Sequence, residues 1–142
     1  MFKNISIKFI VLILFVLFIS VFLRLYSLGY ESLWTDEAFS ALFPEKPFNE
    51  WYWLKEEVHP PLYYVIMHYF LMFGRDEFIV RLPSVIFGIF TLIFVFKLAN
   101  GKENFSEALL TILLLGLSSM VINIDRLARM YSLFCMLCVM SA

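Results

Sequence analysis

Long apolar runs alternate with short charged segments along this chain. The first run, at 9–23, contains no Lys, Arg, Asp or Glu, and later runs at 82–96, 108–124 and 130–142 are also uncharged. Basic residues that snorkel at the ends of such runs extend them towards the roughly 20 residues of a spanning helix. The pattern therefore predicts an all-α, polytopic transmembrane protein. Its predicted spans are at about 6–28, 80–99, 106–124 and 130–142.

Composition also indicates a membrane protein. Of the 142 residues, 62% are hydrophobic and 19% are aromatic, and the mean hydropathy is +0.85. A soluble domain of this length could not bury so much apolar surface. Membrane lipid is therefore an expected partner. The net charge of −1 gives no indication of nucleic acid binding, and none is expected.

The first apolar run is expected to be an uncleaved helix. Lys3 and Lys8 stand just before this run, and residues 1–8 contain no Asp or Glu. This basic start predicts a cytoplasmic N-terminus. A cleaved signal peptide begins in the same way, but it needs a small-x-small site after the apolar core. Bulky residues stand at 22–25 instead. Arg24, at the end of the run, is interpreted as a snorkelling anchor.

An acidic segment follows the first run. Between Gly29 and His59 acids outnumber bases, and the aromatic residues at 51–53 predict a short helix along the membrane interface. Two consecutive prolines, Pro60 and Pro61, are tolerated only in the first turn of a helix. A helix should therefore begin at this pair and leave His59 just before it.

Two topologies are open for the segment 58–74. If it spans the membrane, Arg81 is cytoplasmic, and charge counting alone slightly favours this arrangement. If it lies along the surface, Arg81 and Arg129 face the outside, on the same side as Asp36.

Asp36 and Glu37 are the first candidates for chemistry. These adjacent carboxylates stand between aromatic residues shortly after the first apolar run. A carboxylate at the membrane surface can bind a divalent cation through its oxygens or accept a proton from an incoming hydroxyl. A solvated pair of loop charges is the alternative, and the dipeptide alone favours that alternative.

Four sequence blocks carry a resemblance to a known family. They are Arg24–Gly29 with Trp34–Ala38, His59–Tyr64, Arg81–Ser84 with Phe87 and Gly88, and Ala128–Leu133. In this order they resemble the beginning of a polytopic GT-C glycosyltransferase of the protein mannosyltransferase and aminoarabinose transferase superfamily. Members of that superfamily use polyprenyl-phosphate sugar donors. Relatives often read Gln-Glu-Ala-Arg where this chain has Arg126, Leu127, Ala128 and Arg129, so the resemblance supplies no second carboxylate in this block.

The resemblance implies the second topology. In such enzymes the first extracytoplasmic loop contains juxtamembrane helices, which corresponds here to about 29–79, and the second span begins near Arg81. Arg129 then returns to the outer face after the third span. The implied localisation is the cell membrane, with several spans and a cytoplasmic N-terminus.

The resemblance also implies a reaction. A hexosyl- or pentosyltransferase of this kind moves a sugar from a polyprenyl-phosphate donor to a hydroxyl acceptor on a protein, lipid or glycan at the outer face of the membrane. Asp36 fits the general base, and Glu37 either orients Asp36 or shares a divalent metal ion with it and the donor phosphate. The expected substrate-binding residues are His59, Arg81, Arg129 and Tyr131.

A non-catalytic or truncated relative that keeps the same scaffold is the alternative function. The last apolar run stops at Ala142 without a polar flank, so the 142 residues are expected to be the N-terminal part of a longer enzyme. That part alone is expected to enter a membrane but to transfer no sugar. Its arginines at 126 and 129 would lack the partners that later helices supply.

Two further features carry structural expectations. Cys135 and Cys138 lie in an apolar run without a second pair, which is more typical of thiols that face lipid or a neighbouring helix than of a metal or redox site. Gly88 should let a neighbouring helix approach closely.

Overall fold

The computed structural model describes residues 7–55, 59–102 and 105–142. Within these ranges the regular structure is helical throughout, which confirms the all-α prediction. The α-helices are α1 (Ile7–Leu25), α2 (Thr35–Leu42), α3 (Pro61–Phe70), α4 (Glu77–Lys102), α5 (Phe105–Leu117), α6 (Ser119–Arg126) and α7 (Tyr131–Met140). Two 3-10 helices, Phe43–Glu45 and Phe48–Lys55, lie between α2 and α3.

α4 is long and apolar enough to cross a membrane by itself. Its segment Glu77–Ala99 has 23 residues and a mean hydropathy of 2.3. α5 and α6 meet the same criterion only together, across a bend of 58°. The apolar helices Val11–Leu25 and Tyr131–Met140 are shorter. Among the described residues, length and composition therefore support one span, or two if the bent pair counts as one. The prediction of four spans stays a prediction.

The bend falls at Ser118, inside the span expected at 106–124. Ser118 has an extended backbone, with φ −64° and ψ 120°, and its Oγ accepts a hydrogen bond of 3.5 Å from the Val121 N–H. The end of α5 leaves carbonyls that need partners from outside the helix. The Gly116 carbonyl accepts from Ser20 Oγ at 3.1 Å and from Arg24 Nη1 at 3.0 Å. The expected third span is therefore two helices, joined where α1 supplies polar partners.

Arg24 forms a buried ion pair, so its interpretation as a snorkelling anchor is wrong. The side chain is 0% exposed, and its Nε lies 2.9 Å from Asp125 Oδ2. Nη1 also donates to the backbone and side-chain oxygens of Ser20. Asp125 in turn accepts from Ser132 Oγ at 2.9 Å. The partner stands 101 residues further along the chain, a distance that no local sequence pattern bridges.

Gly88 provides the space for this pair. A Cβ atom built on Gly88 would lie 2.2 Å from Asp125 Cγ, far inside any real contact. α4 therefore needs glycine at this position to let the carboxylate of α6 approach. The expectation that Gly88 permits close approach of a neighbouring helix is confirmed.

α3 is too short to span a membrane by itself. Its ten residues extend about 15 Å, against a hydrocarbon core of roughly 30 Å. Pro60 is its N-cap and Pro61 its first residue, as the proline pair predicts. α3 packs into a buried cluster that joins it to α2, α4 and the α6–α7 connection. The buried members are Ala41, Tyr63, Met67, Val80, Ala128 and Leu133. This geometry argues against a membrane-spanning segment at 58–74.

The short helix expected around 51–53 corresponds to the 3-10 segment Phe48–Lys55, which is two short helical pieces separated by a kink at Trp51, with φ −82° and ψ 24°. Trp51 is buried, and its Nε1 donates to the Lys46 carbonyl at 2.8 Å. The His68 ring of α3 contacts the rings of Phe48 and Trp51 and is hydrogen-bonded to the Pro44 carbonyl. Aromatic packing thus fixes this loop against α3.

We expect Arg24→Gln to destabilise the protein by about 3–5 kcal/mol, because Asp125 would be left as a buried and unpaired charge. Unfolding in mixed micelles, followed by tryptophan fluorescence, measures the loss. Arg75→Gln is the control, since the Arg75 side chain is 72% exposed and its pairing with Glu45 is weak. Asp125→Asn in the Arg24→Gln background should recover part of the loss. Equal stability of Arg24→Gln and wild type would contradict a structural role for the pair.

Candidate active site

A cleft of about 720 Å³ opens between the start of α2, the start of α4 and the α6–α7 connection. Its lining includes Asp36, Glu37, Arg81, Arg129 and Tyr131. His59 is outside this lining but is hydrogen-bonded to Arg129. The fold therefore brings together candidates that are separated by up to 95 positions in the sequence (36 to 131). Their roles differ, because the polar atoms of some of these residues are already used in hydrogen bonds within the protein.

Glu37 is saturated with hydrogen bonds. Its carboxylate is 1% exposed and pairs with Arg81 through Nε–Oε1 at 3.0 Å and Nη2–Oε2 at 2.9 Å. Oε1 also accepts from the Ala128 N–H at 2.8 Å, and Oε2 from the Trp34 N–H at 3.1 Å. Four accepted bonds fill the four lone-pair positions of a carboxylate. Glu37 thus ties α2 to α4 and to the α6–α7 connection.

The position of Glu37 on α2 explains one of these bonds. Trp34 is the N-cap residue, and Glu37 is the third residue of the helix. A glutamate at this position reaches back to the N-cap N–H in the capping-box arrangement, and its charge suits the positive end of the helix dipole. The same carboxylate that starts the helix therefore also anchors it to Arg81.

Arg81 is equally committed. Besides its two bonds to Glu37, Nη1 donates to the carbonyls of Leu28 and Glu31, both at 2.8 Å, and Nη2 donates to the Ser32 carbonyl at 3.2 Å. A guanidinium has five N–H donors, and all five are used. Arg81 therefore holds the turn after α1 against α4. The predicted contact with donor phosphate would require one of these bonds to break.

Asp36 has a different environment. Its carboxylate is exposed, lines the cleft, and makes no hydrogen bond with the described residues. Its backbone is held, since the Asp36 carbonyl accepts from Ser40 Oγ at 3.0 Å and from Arg129 Nη1 at 3.2 Å. A fixed backbone with an available carboxylate is the arrangement that proton transfer from a substrate needs.

Arg129 brings a buried positive charge next to Asp36. The residue is 8% exposed, and its Nη1 also reaches Ser40 Oγ at 3.4 Å. Nη2 lies 2.7 Å from His59 Nε2. Because arginine only donates, Nε2 must accept, which assigns the ring proton of His59 to Nδ1. Arg129 Nε is buried and has no hydrogen-bond partner in the described part of the chain.

The charge state of Glu37 follows from its contacts. Burial by itself raises the pKa of Glu37, but the hydrogen bonds from Arg81, Ala128 and Trp34, together with the charge of Arg81, outweigh it and lower the pKa below its usual value of 4.5. Glu37 is therefore ionised at neutral pH, and the pair with Arg81 is a true ion pair.

The hydrogen bonds of Glu37 bear on the divalent metal ion expected at the two carboxylates. Within the described ranges, no group of three or more His, Cys, Asp or Glu side chains is placed to hold a metal ion. Glu37 has no lone pair left for a metal, so Asp36 would have to act without it. A divalent ion shared by Asp36 and Glu37 with the donor phosphate stays a prediction. Cys135 and Cys138 are exposed on α7, as expected for outward-facing thiols.

Arg126 and Asn123 also line the cleft, and sequence reasoning did not include them among the site residues. Both lie on α6, one turn apart, and reach the cleft because α6 is bent away from α5. Arg126 stands three positions before Arg129 in the same sequence block. The spacing of Arg126 and Arg129 is the signal in the sequence that indicates Arg126. Asn123 has no such signal, because a straight span through 124 would keep it within the membrane.

Comparison with known proteins gives one family match. A family model described as dolichyl-phosphate-mannose-protein mannosyltransferase matches residues 58–142. This region contains His59, Arg81, Arg129 and Tyr131, whereas Asp36 and Glu37 precede it. Neither a curated protein nor a solved structure gives a significant match to the chain.

We expect Glu37→Gln to destabilise the protein by about 3 kcal/mol at neutral pH, because an amide donor would face N–H groups that now find an acceptor. A lowered pKa in the folded state means that the stabilisation is complete above pH 4.5 and is lost as the pH falls through the folded value. The difference in melting temperature between wild type and Glu37→Gln should therefore be constant from neutral pH to about 5 and should shrink below 4.5.

Glu50→Gln is the matched control for this measurement, since Glu50 is exposed in the loop after α2. It should change stability little at any pH. A difference between wild type and Glu37→Gln that stays constant below pH 4.5 would show that the ionised pair is not its origin.

Proposed function

Because its residues 58–142 match that model, the chain belongs to the dolichyl-phosphate-mannose-protein mannosyltransferase family, and we propose that it transfers a sugar from a polyprenyl-phosphate donor to a hydroxyl acceptor at the outer face of the membrane. Family membership establishes a membrane glycosyltransferase of the GT-C type. The donor, the acceptor and the face of the membrane belong to the proposal. The acceptor class is a protein, lipid or glycan hydroxyl.

One observation carries the proposal. The cleft contains the exposed carboxylate of Asp36, which has no partner among the described residues and whose backbone carbonyl is bound by the buried guanidinium of Arg129. Sugar transfer requires a base for the acceptor hydroxyl and positive charge for the departing phosphate. These two groups meet both requirements within one cleft.

The reaction can be written with these residues. The acceptor oxygen forms a bond to the anomeric carbon of the sugar while its proton passes to the Asp36 carboxylate. The bond between the anomeric carbon and the phosphate oxygen breaks, and its electron pair leaves with the polyprenyl phosphate. Arg129 stabilises the added negative charge on that phosphate, and its low exposure strengthens this effect. Tyr131 lines the same cleft, where its hydroxyl can contact substrate.

His59, Glu37 and Arg81 support these groups in the proposed mechanism. His59 accepts a hydrogen bond from Arg129 and so helps to fix its guanidinium. Glu37 and Arg81 join the start of α2 to α4 and to the peptide before Arg129. They act by holding Asp36 and Arg129 in one geometry, because their own hydrogen-bonding groups are used.

The contacts across the cleft support a topology. The pair Glu37–Arg81 puts the start of α4 beside α2, and the bond from Arg129 to the Asp36 carbonyl puts the end of α6 on the same side. α4 must then lead away from this side, and α5 and α6 must return to it. With the expected cytoplasmic N-terminus, this arrangement supports the proposal that the cleft faces the outside.

The prediction that residues 1–142 alone insert without transferring sugar remains a proposal, as does the choice between hexose and pentose. Sugar transfer by the purified 142-residue chain would contradict the first. A non-catalytic relative would bind donor but leave the full-length protein without turnover.

We expect Asp36→Asn to lower the rate of sugar transfer by about 100- to 10,000-fold in the full-length protein, because the acceptor hydroxyl would lose its base. Glu50→Gln, in the same loop and exposed, should leave the rate nearly unchanged. Transfer of labelled sugar from a polyprenyl-phosphate donor gives the rate. Similar, mild losses of rate in both variants would indicate that Asp36 is an ordinary solvated charge without a catalytic role.

For the topology, we expect cysteines introduced at Asn49 and Asn123 of a cysteine-free variant to react with an impermeant thiol reagent in intact cells. A cysteine at Lys102 should react only after the cells are opened. Asn49 and Asn123 are both exposed, so reagent access does not depend on unfolding. Labelling at Lys102 in intact cells, with none at Asn123, would rule out the proposed arrangement.

A further inference from the structure

We infer that Arg126 is the residue that binds the phosphate of the donor, a role that rests on the proposed function and that the sequence assigns to other residues. Three arginines line the cleft, at 81, 126 and 129. A phosphate contact needs N–H donors that face the ligand and are not already used. The three differ sharply in this respect.

Arg81 and Arg129 have fewer unused N–H donors than Arg126. All five N–H donors of Arg81 bind carboxylate or carbonyl oxygens of the protein. Arg129 directs Nη1 to the Asp36 carbonyl and to Ser40 Oγ, and one N–H of Nη2 to His59. Its Nε is buried, so among the described residues only the second N–H of Nη2 remains for a ligand. Arg129 therefore acts through its charge, and Arg81 through the structure it holds.

Arg126 is available. Its Nη2 donates to the carbonyls of Tyr26 and Ser27, at 3.1 and 3.3 Å, and no other hydrogen bond of Arg126 is formed with the described residues. Nε–H and the two N–H groups of Nη1 therefore remain for an anion. These N–H groups lie on different edges of the guanidinium, so each can donate a separate charge-assisted hydrogen bond to a phosphate oxygen.

The two carbonyls that hold Arg126 come from the turn after α1. Ser27 has a φ of 53°, which residues other than glycine seldom adopt. The turn lets two consecutive carbonyls reach one Nη2 group, so the guanidinium is oriented before a ligand arrives. Orientation before binding lowers the entropic penalty of binding.

Charge in the cleft favours the same position. Glu37 neutralises Arg81, which leaves the positive charges of Arg126 and Arg129 and the exposed carboxylates of Glu31 and Asp36. An anionic phosphate is attracted to the arginines of the α6–α7 connection, while Asp36 on α2 faces the neutral acceptor. Asn123, exposed one turn before Arg126, offers an amide donor beside the same ligand.

The test is ligand binding by the full-length protein, which needs no turnover. Farnesyl phosphate and farnesol in detergent serve as probes that differ in the phosphate alone. We expect Arg126→Gln to weaken farnesyl phosphate binding by roughly 10- to 100-fold and to leave farnesol binding unchanged, because a charge-assisted contact is lost. Arg126→Lys should be intermediate, since it keeps the charge but loses the N–H groups of the guanidinium and their orientation by the two carbonyls.

Two controls separate this role from general damage. Arg75→Gln removes an exposed arginine outside the cleft and should not change the affinity for either probe. Asp36→Asn removes the proposed base and a negative charge of the cleft, so it should lose turnover without weakening farnesyl phosphate binding. In active protein, Arg126→Gln should raise the KM for donor more than it lowers kcat.

The outcomes separate this inference from the proposed function. Weaker farnesyl phosphate binding in Arg126→Gln would support the inference even if the wild type transferred no sugar. Unchanged affinity for farnesyl phosphate in Arg126→Gln would overturn it even in an active enzyme. Equal weakening for farnesol and farnesyl phosphate would also overturn it, since the phosphate would not be the group contacted.

Discussion

The ion pair between Glu37 and Arg81 is the constraint on which the cleft depends. Each oxygen and each N–H of the two side chains has a partner, and those partners come from the turn after α1, the N-cap of α2 and the peptide at Ala128. A buried ion pair stabilises only when all of its hydrogen bonds are satisfied, and here they are. Moving any one of these segments would leave a buried charge incompletely paired.

This constraint divides the polar residues of the cleft into two groups. Glu37 and Arg81 are used up in holding the backbone, whereas Asp36 and Arg126 keep groups that can meet a substrate. Arg129 lies between these groups, because it braces α2 and at the same time places its charge beside Asp36. The function proposed for this cleft thus depends on which hydrogen-bonding groups the fold leaves available.

A second buried pair plays the corresponding role among the apolar helices. Arg24 and Asp125 join α1 to α6, and the nearby carbonyl of Gly116 is available because the helix breaks at Ser118. Burying a polar group without a partner costs free energy. The break at Ser118 frees the Gly116 carbonyl for Arg24, and Gly88 leaves room for the Asp125 carboxylate, although Arg24 Nη2 has no hydrogen-bond partner among the described residues. The resulting bend of α6 brings Asn123 and Arg126 to the cleft.

The sequence by itself determined the helical class, the helix start at the Pro60–Pro61 pair and a short helical segment near Trp51, although not the kink at Trp51. Apolar runs and proline geometry are local properties, so a linear pattern contains them. Only the tertiary structure decided that Arg24 pairs with Asp125, that Glu37 is consumed by Arg81, and that Arg126 stays available. These outcomes depend on contacts between residues that are 44 to 101 positions apart in the sequence. The sequence shows that a residue is charged, but it does not show which distant residue binds it.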